Sequence, residues 1–119
     1  EIVAQVYKNH IKQLGPEILS SDFVEIQQGL DRLDFVITPT QTEMLTNFSV
    51  NGGRYCSIRE ELAAQISLTD PKGLPCTLYI APLTTELAKV SPGIYTVDGG
   101  GRVQIWQDQH RLLALASTS

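Results

Sequence analysis

The sequence predicts an α+β domain in which two N-terminal helices pack on one face of a mostly antiparallel sheet of about six strands. Three observations carry this. Apolar residues recur at helical spacing up to Asp34, the period then falls to 2 with β-branched and aromatic residues taking over, and Gly, Pro and Asp clusters punctuate the second part at short intervals.

The first helix rests on Ile2, Val3, Val6, Tyr7, Ile11 and Leu14, spaced by three and four and separated by Gln5, Lys8, Asn9, Lys12 and Gln13. Gly15-Pro16 ends it, because Gly accepts a left-handed terminal position and Pro cannot extend the hydrogen-bond ladder. Glu17 to Ser20 is a short extended connector. Asp22 then caps a second helix, with Glu25 as the reciprocal member of a capping box. Phe23, Ile26, Leu30 and Leu33 form its apolar stripe. Gly29 within it costs about 1 kcal/mol relative to Ala, which points to close packing against a neighbour.

Phe35-Val36-Ile37 reads as a short strand ended by Thr38-Pro39. Alternation resumes at Phe48, Val50 and Gly52-Gly53 and continues through Leu62, Ala64, Ile66 and Leu68. The interleaved Gln65, Ser67 and Thr69 predict a solvated face. Asp70-Pro71-Lys72-Gly73 is a hairpin turn in which Pro presets φ and Gly takes the left-handed position. That turn sets Leu68 opposite Cys76, Ile66 opposite Leu78 and Ala64 opposite Ile80. Pro82 to Ser91 is a brief helical or irregular crossing, and Ile94–Val97, Val103–Trp106 and Leu112–Ala116 are three further strands. With a turn through Ser57 to Glu61, Cys56 faces Leu62, and the two cysteines, Cys56 and Cys76, stand too far apart to bridge.

Composition bounds the function. A chain of 119 residues makes one domain, residues 1–119, and 42% hydrophobic with 18% charged residues fits a folded globular chain. The net charge of -4 speaks against nucleic acid, which needs a basic face, and against anionic membrane surfaces. No apolar run is long enough to cross a bilayer, so any membrane attachment runs through a transmembrane helix outside this stretch. Opening at Glu1 without Met or a leader-like segment, the chain reads as a piece of a larger protein.

Catalytic chemistry is hard to assemble. The two histidines, His10 and His110, sit in no HExxH or other metal-ligand spacing, and no Gly-x-Ser-x-Gly elbow is present. The carboxylate pairs Glu60-Glu61 and Asp31-Asp34 fall on turns or helix ends with no facing acid and base. Asp98-Gly-Gly-Gly-Arg102 lacks the Lys-Ser/Thr and the helix of a phosphate loop and reads as a hairpin turn. Asn47-Phe48-Ser49 matches the glycosylation sequon, a pattern frequent by chance. The expectation is a domain that is not an enzyme, with no cofactor and no metal. The residues that offer a binding or signalling surface are Gly52, Gly53 and Arg54, whose backbone amides and guanidinium can meet an anion, and Trp106, the one tryptophan, as a platform.

The linear order of His10 in the first helix, Ser21-Asp22, Leu33-Asp34-Phe35, Gly52-Gly53-Arg54, Ala63-Ala64-Gln65, Asp70-Pro-Lys-Gly73, Thr77-Leu78-Tyr79 and Ile105-Trp106 resembles the extracytoplasmic domain of bacterial membrane-spanning anti-sigma factors. In that family a Gly-Gly-Arg precedes an Ala-Ala-Gln strand, an Asp-x-x-Gly hairpin, a Thr-Leu-Tyr strand and a late Trp. The resemblance spans nearly the whole chain and implies an outer sensory domain on the periplasmic side of the inner membrane. Its partners would be a sigma factor, held by a cytoplasmic domain absent from this sequence, and an envelope protein or ligand. The family's His and Cys zinc motif is missing here, and Cys56 and Cys76 stand where relatives carry apolar residues. The alternative is a stand-alone periplasmic domain that binds a ligand or a protein with its sheet face.

Overall fold

The computed structural model describes residues 2–4, 6–7, 15–38, 45–97, 99–108 and 110–117. His10, Lys12 and Asp98 lie outside these. The described residues build an α+β domain on an open, fully antiparallel sheet of seven strands. They are β1 (Ile18–Leu19), β2 (Ser49–Ile58), β3 (Glu61–Thr69), β4 (Pro75–Pro82), β5 (Gly93–Thr96), β6 (Arg102–Asp108) and β7 (Arg111–Ser117), arranged β1-β2-β3-β4-β7-β6-β5. One hairpin meander runs β2-β3-β4. A second, β5-β6-β7, returns so that β7 pairs with β4, and the connection between the meanders carries a short 3-10 turn at Leu87–Lys89.

Strand alternation sorts the core into two clusters on opposite faces. On one face Ala63, Tyr79, Ala81, Val103, Ile105, Leu112, Ala114 and Ala116 pack with Ile2, Val3 and Val6 of the N-terminal helical residues and with Leu87. On the other, Ala64, Ile66, Leu68, Cys76, Leu78, Ile80, Trp106 and Leu113 pack with Ile26, Leu30 and Ile37. The helical elements therefore cover opposite faces, not one face as the sequence suggests. The expected wet face is partly covered: Gln65 is 3% exposed, while Ser67 and Thr69 are half-buried. Polar alternation marked a face that is covered later by non-adjacent chain.

Helix α1, Phe23–Gly29, is seven residues long, too short to persist alone, and is held by burial of Ile26 and then Leu30 beyond its end. Each such burial contributes roughly 1.5–3 kcal/mol. Asp22 is the N-cap, its Oδ1 accepting from Val24 N at 2.9 Å. The reciprocal bond comes from Ser20 rather than Glu25, with Asp22 N donating to Ser20 Oγ at 3.0 Å. Leu33 lies beyond the helix, past a turn at Asp31-Arg32. A Cβ on Gly29 would stand 2.6 Å from Ile18 Cδ1, so this glycine does serve a close approach, that of β1.

Phe35–Ile37 is not a strand. The Gln27 side chain supplies what a neighbouring strand would have, donating Nε2 to Phe35 O at 3.0 Å and accepting from Ile37 N at Oε1 at 2.7 Å. The β3–β4 register matches expectation, pairing Leu68 with Cys76, Ile66 with Leu78 and Ala64 with Ile80. The β2–β3 register differs by one: Cys56 faces Ala63 and Ser57 faces Leu62, because the connection is the two-residue turn Arg59-Glu60, with φ of 50° and 68°. The Glu17–Ser20 connector contains β1, which closes one edge of the sheet.

Candidate functional site

Gly52 and Gly53 are buried where β1 crosses close to β2. A Cβ on Gly52 would lie 2.4 Å from the Ile18 carbonyl oxygen, and one on Gly53 would lie 2.6 Å from Ile26 Cγ2. Their missing side chains admit β1 and α1 to the sheet. Arg54 continues this joint by donating Nη1 to Gly15 O at 2.8 Å, while Tyr55 N donates to Glu17 Oε1 at 2.9 Å. Trp106 is elsewhere. It is 8% exposed, on the face opposite Arg54, and four strand spacings, roughly 19 Å, separate β2 from β6. Its Nε1 is buried with no hydrogen-bond partner among the described residues. The fold thus does not bring the four sequence-derived residues into one patch, and the Gly-Gly-Arg group fastens the connector to β2.

The register exposes a different concavity. Two rows of side chains cross the sheet on the α1 face: Cys76, Ser117, Arg102 and Thr96, then Leu78, Leu115, Gln104 and Ile94. The first ends of these rows belong to the core, whereas Ile94 is 63% exposed. Above them the β3–β4 turn and Phe48 raise a wall, leaving a hollow of about 320 Å³ lined by Phe48, Lys72, Cys76, Arg102, Gln104 and Leu115 among others. A smaller hollow of about 60 Å³ against Ile94 shares Arg102, Gln104, Leu115 and Ser117 with it. Apolar surface and two cations therefore meet in one place. Only the alternation of Arg102 and Gln104 against Val103 and Ile105 hinted at this in the sequence, where it reads as an ordinary solvated strand face.

A second hollow, about 280 Å³, lies between the segment after α1 and the β2–β3 and β4 ends, lined by Arg32, Asp34, Phe35, Glu61, Leu62 and Thr84 among others. There the Arg32 guanidinium is 4.3 Å from the Tyr55 ring centroid, and Arg32 N donates to Tyr55 Oη at 2.8 Å. Its charges are of both signs.

The thiols are chemically quiet at neutral pH. Burial pushes the Cys56 thiol up to about 12, with the Arg54 charge acting the other way, and burial with the nearby Asp70 pushes Cys76 up to about 11. The Tyr79 phenol is raised by burial and by Cys56, with Thr77 acting the other way. Cys56 and Cys76 are free and point to opposite faces. His110 is exposed in the β6–β7 turn, its carbonyl accepting from Leu83 N at 2.8 Å. Among the described residues no group of three or more His, Cys, Asp and Glu could hold a metal ion, and no helix is long and apolar enough to cross a membrane. Comparison with known proteins gives no match to this chain among family models, curated proteins or solved structures.

Proposed function

We propose that this domain is the outer sensory module of a membrane-spanning anti-sigma factor, positioned on the periplasmic side, whose state is passed to a cytoplasmic domain that holds an extracytoplasmic-function sigma factor. The observation that carries this reading is the ordered set of motifs and where they fall. Gly52-Gly53-Arg54 lies in β2, Ala63-Ala64-Gln65 in β3, Asp70–Gly73 in the β3–β4 turn, Thr77-Leu78-Tyr79 in β4 and Ile105-Trp106 in β6. Each of the first three serves an identifiable joint: close approach of β1, pairing at the sheet centre, and a turn that sets register. A chain that keeps all of them in this order keeps the devices that define one particular sheet. The joint at Gly15 and Arg54 also offers a mechanical route, since a pull on the chain N-terminal to β1 acts first on the bonds of the connector to β2.

The test uses the full-length protein in a bacterial host. Alkaline phosphatase fused after Ser119 is expected to be active, because it folds only outside the inner membrane. Co-expressed with the sigma factor, the full-length protein is expected to silence a sigma-dependent reporter. Inactive phosphatase or unchanged reporter output would overturn the proposal. The second reading, a stand-alone periplasmic binding domain, is favoured by the cationic hollow beside β6, and active phosphatase with an unsilenced reporter is its signature.

A further inference from the structure

We infer that the hollow between the β3–β4 turn and β6 is a binding site for a small amphipathic anion, a carboxylate on a short hydrocarbon tail. The inference stands independently of the anti-sigma reading. Its first ground is shape: about 320 Å³ is the lower end of small-molecule pockets and holds about ten non-hydrogen atoms at roughly 30 Å³ each. Its second ground is the division of the lining. Phe48, Pro71, Leu115 and the protonated Cys76 make an apolar wall, while Lys72, Arg102 and Gln104 bring donors to the mouth.

Charge sets the sign of the ligand. The one ion pair seen among the described residues joins Arg111 to Asp108, so Lys72 and Arg102 have no carboxylate partner among them. The acidic lining residue, Asp70, is committed to its own turn: its Oδ1 accepts from Lys72 N at 2.9 Å and from Leu74 N at 2.8 Å. Two cations beside one occupied carboxylate leave a local excess of positive charge in a chain of net charge -4. A guanidinium offers paired donors to a carboxylate, and Lys72 adds a point charge from the turn. The tail then has only one apolar way to go, along Leu115 toward Phe48 and Cys76.

Position adds a consequence. The hollow spans both meanders, with Lys72 and Cys76 from the first and Arg102, Gln104 and Leu115 from the second, and they are joined through the β4–β7 ladder. An occupant bridges the two halves of the sheet and stabilises the assembled form by mass action.

Octanoate, with about ten non-hydrogen atoms, is the probe, used below its micellar range with octanol as the neutral counterpart. Titration of the purified protein followed by amide NMR shifts is expected to give saturable changes confined to Lys72, Cys76, Arg102, Gln104, Leu115 and their neighbours. Arg102→Gln and Lys72→Gln, both at exposed positions, are expected to keep the fold and the dispersed spectrum. Each is expected to weaken octanoate about tenfold, the loss of one charge-assisted contact, while octanol binding does not change. Arg102→Glu is expected to abolish octanoate binding. Equal affinity for octanol and octanoate, shifts located elsewhere, no saturation at millimolar octanoate, or undiminished binding by Arg102→Glu would each overturn the inference.

Discussion

Arg111 and Asp108 form a buried ion pair across the β6–β7 turn, with Arg111 Nε 2.9 Å from Asp108 Oδ1, and the same guanidinium donates to the carbonyls of Val36 and Thr38. One side chain thus ties the loop after α1 to a turn some 75 residues away in sequence. Replacing Arg111 by Ala removes the ion-pair partner of the buried Asp108 carboxylate and the donor to two carbonyls, and is expected to cost about 3–5 kcal/mol in urea unfolding. The paired replacement Arg111→Met with Asp108→Leu is expected to cost less than Arg111→Ala alone. A loss below about 1 kcal/mol for Arg111→Ala would show that the loop is held by Ile37 packing instead.

The Gln27 amide is the next long-range fastener. Ile37 is fully buried, and Gln27→Leu leaves its N–H and the Phe35 carbonyl without their partner. The expected loss is about 1–3 kcal/mol. Gln27→Glu keeps an acceptor for Ile37 N and is expected to lose less. Hydrogen exchange of the Ile37 amide should quicken in Gln27→Leu and remain slow in Gln27→Glu.

The glycines of β2 give a graded pair. A Cβ on Gly52 meets backbone, the Ile18 carbonyl at 2.4 Å, whereas one on Gly53 meets the side chains of Ile26 at 2.6 Å and Ile66 at 3.0 Å. Backbone yields less readily than a side-chain methyl, so Gly52→Ala is expected to detach β1 and Gly53→Ala to lose about 1–3 kcal/mol by overpacking. Protection of the Glu17 and Ser20 amides, which donate to Gly53 O and Asn51 O, reports the detachment. Full protection in Gly52→Ala would exclude it.

Stability should fall with rising pH above about 9. Unfolded thiols titrate near 9.0, while in the fold Cys56 reaches about 12 and Cys76 about 11, in both cases chiefly through burial. Between those values the native state holds protons that the unfolded state has released, so their contribution is complete below about pH 9 and is lost as pH climbs toward the folded values. Urea midpoints are expected to drop from pH 8 to pH 10, and less steeply in the Cys56→Ala, Cys76→Ala double variant. At pH 8 iodoacetamide should label neither thiol quickly until urea is added; a midpoint independent of pH, or rapid native labelling of Cys56, would contradict the burial assigned to them.

What the sequence determined by itself are the features whose partners lie within a few residues. Asp70, Pro71 and Gly73 encode their turn locally, with Gly73 at φ 87°, and from that turn the whole β3–β4 register follows. Asp22 caps α1 for the same reason, since its acceptor and the Val24 N–H are neighbours in the chain. Tertiary structure decided what depends on distant partners. Phe35–Ile37 has the composition of a strand, yet Gln27 takes its hydrogen bonds; Gln65, Ser67 and Thr69 have the pattern of a wet face, yet Gln65 is buried and the other two are half-buried. Gly52-Gly53-Arg54 and Trp106 are both conspicuous in the sequence, and the β7 return that places four strand spacings between them, with Arg54 and Trp106 on opposite faces, has no local signal. The hollow beside β6 belongs to the same class. Arg102, Gln104, Leu115 and Lys72 converge only because β7 pairs with β4, and a pairing closed over some thirty residues is set by which core it buries, not by any residue's own preference.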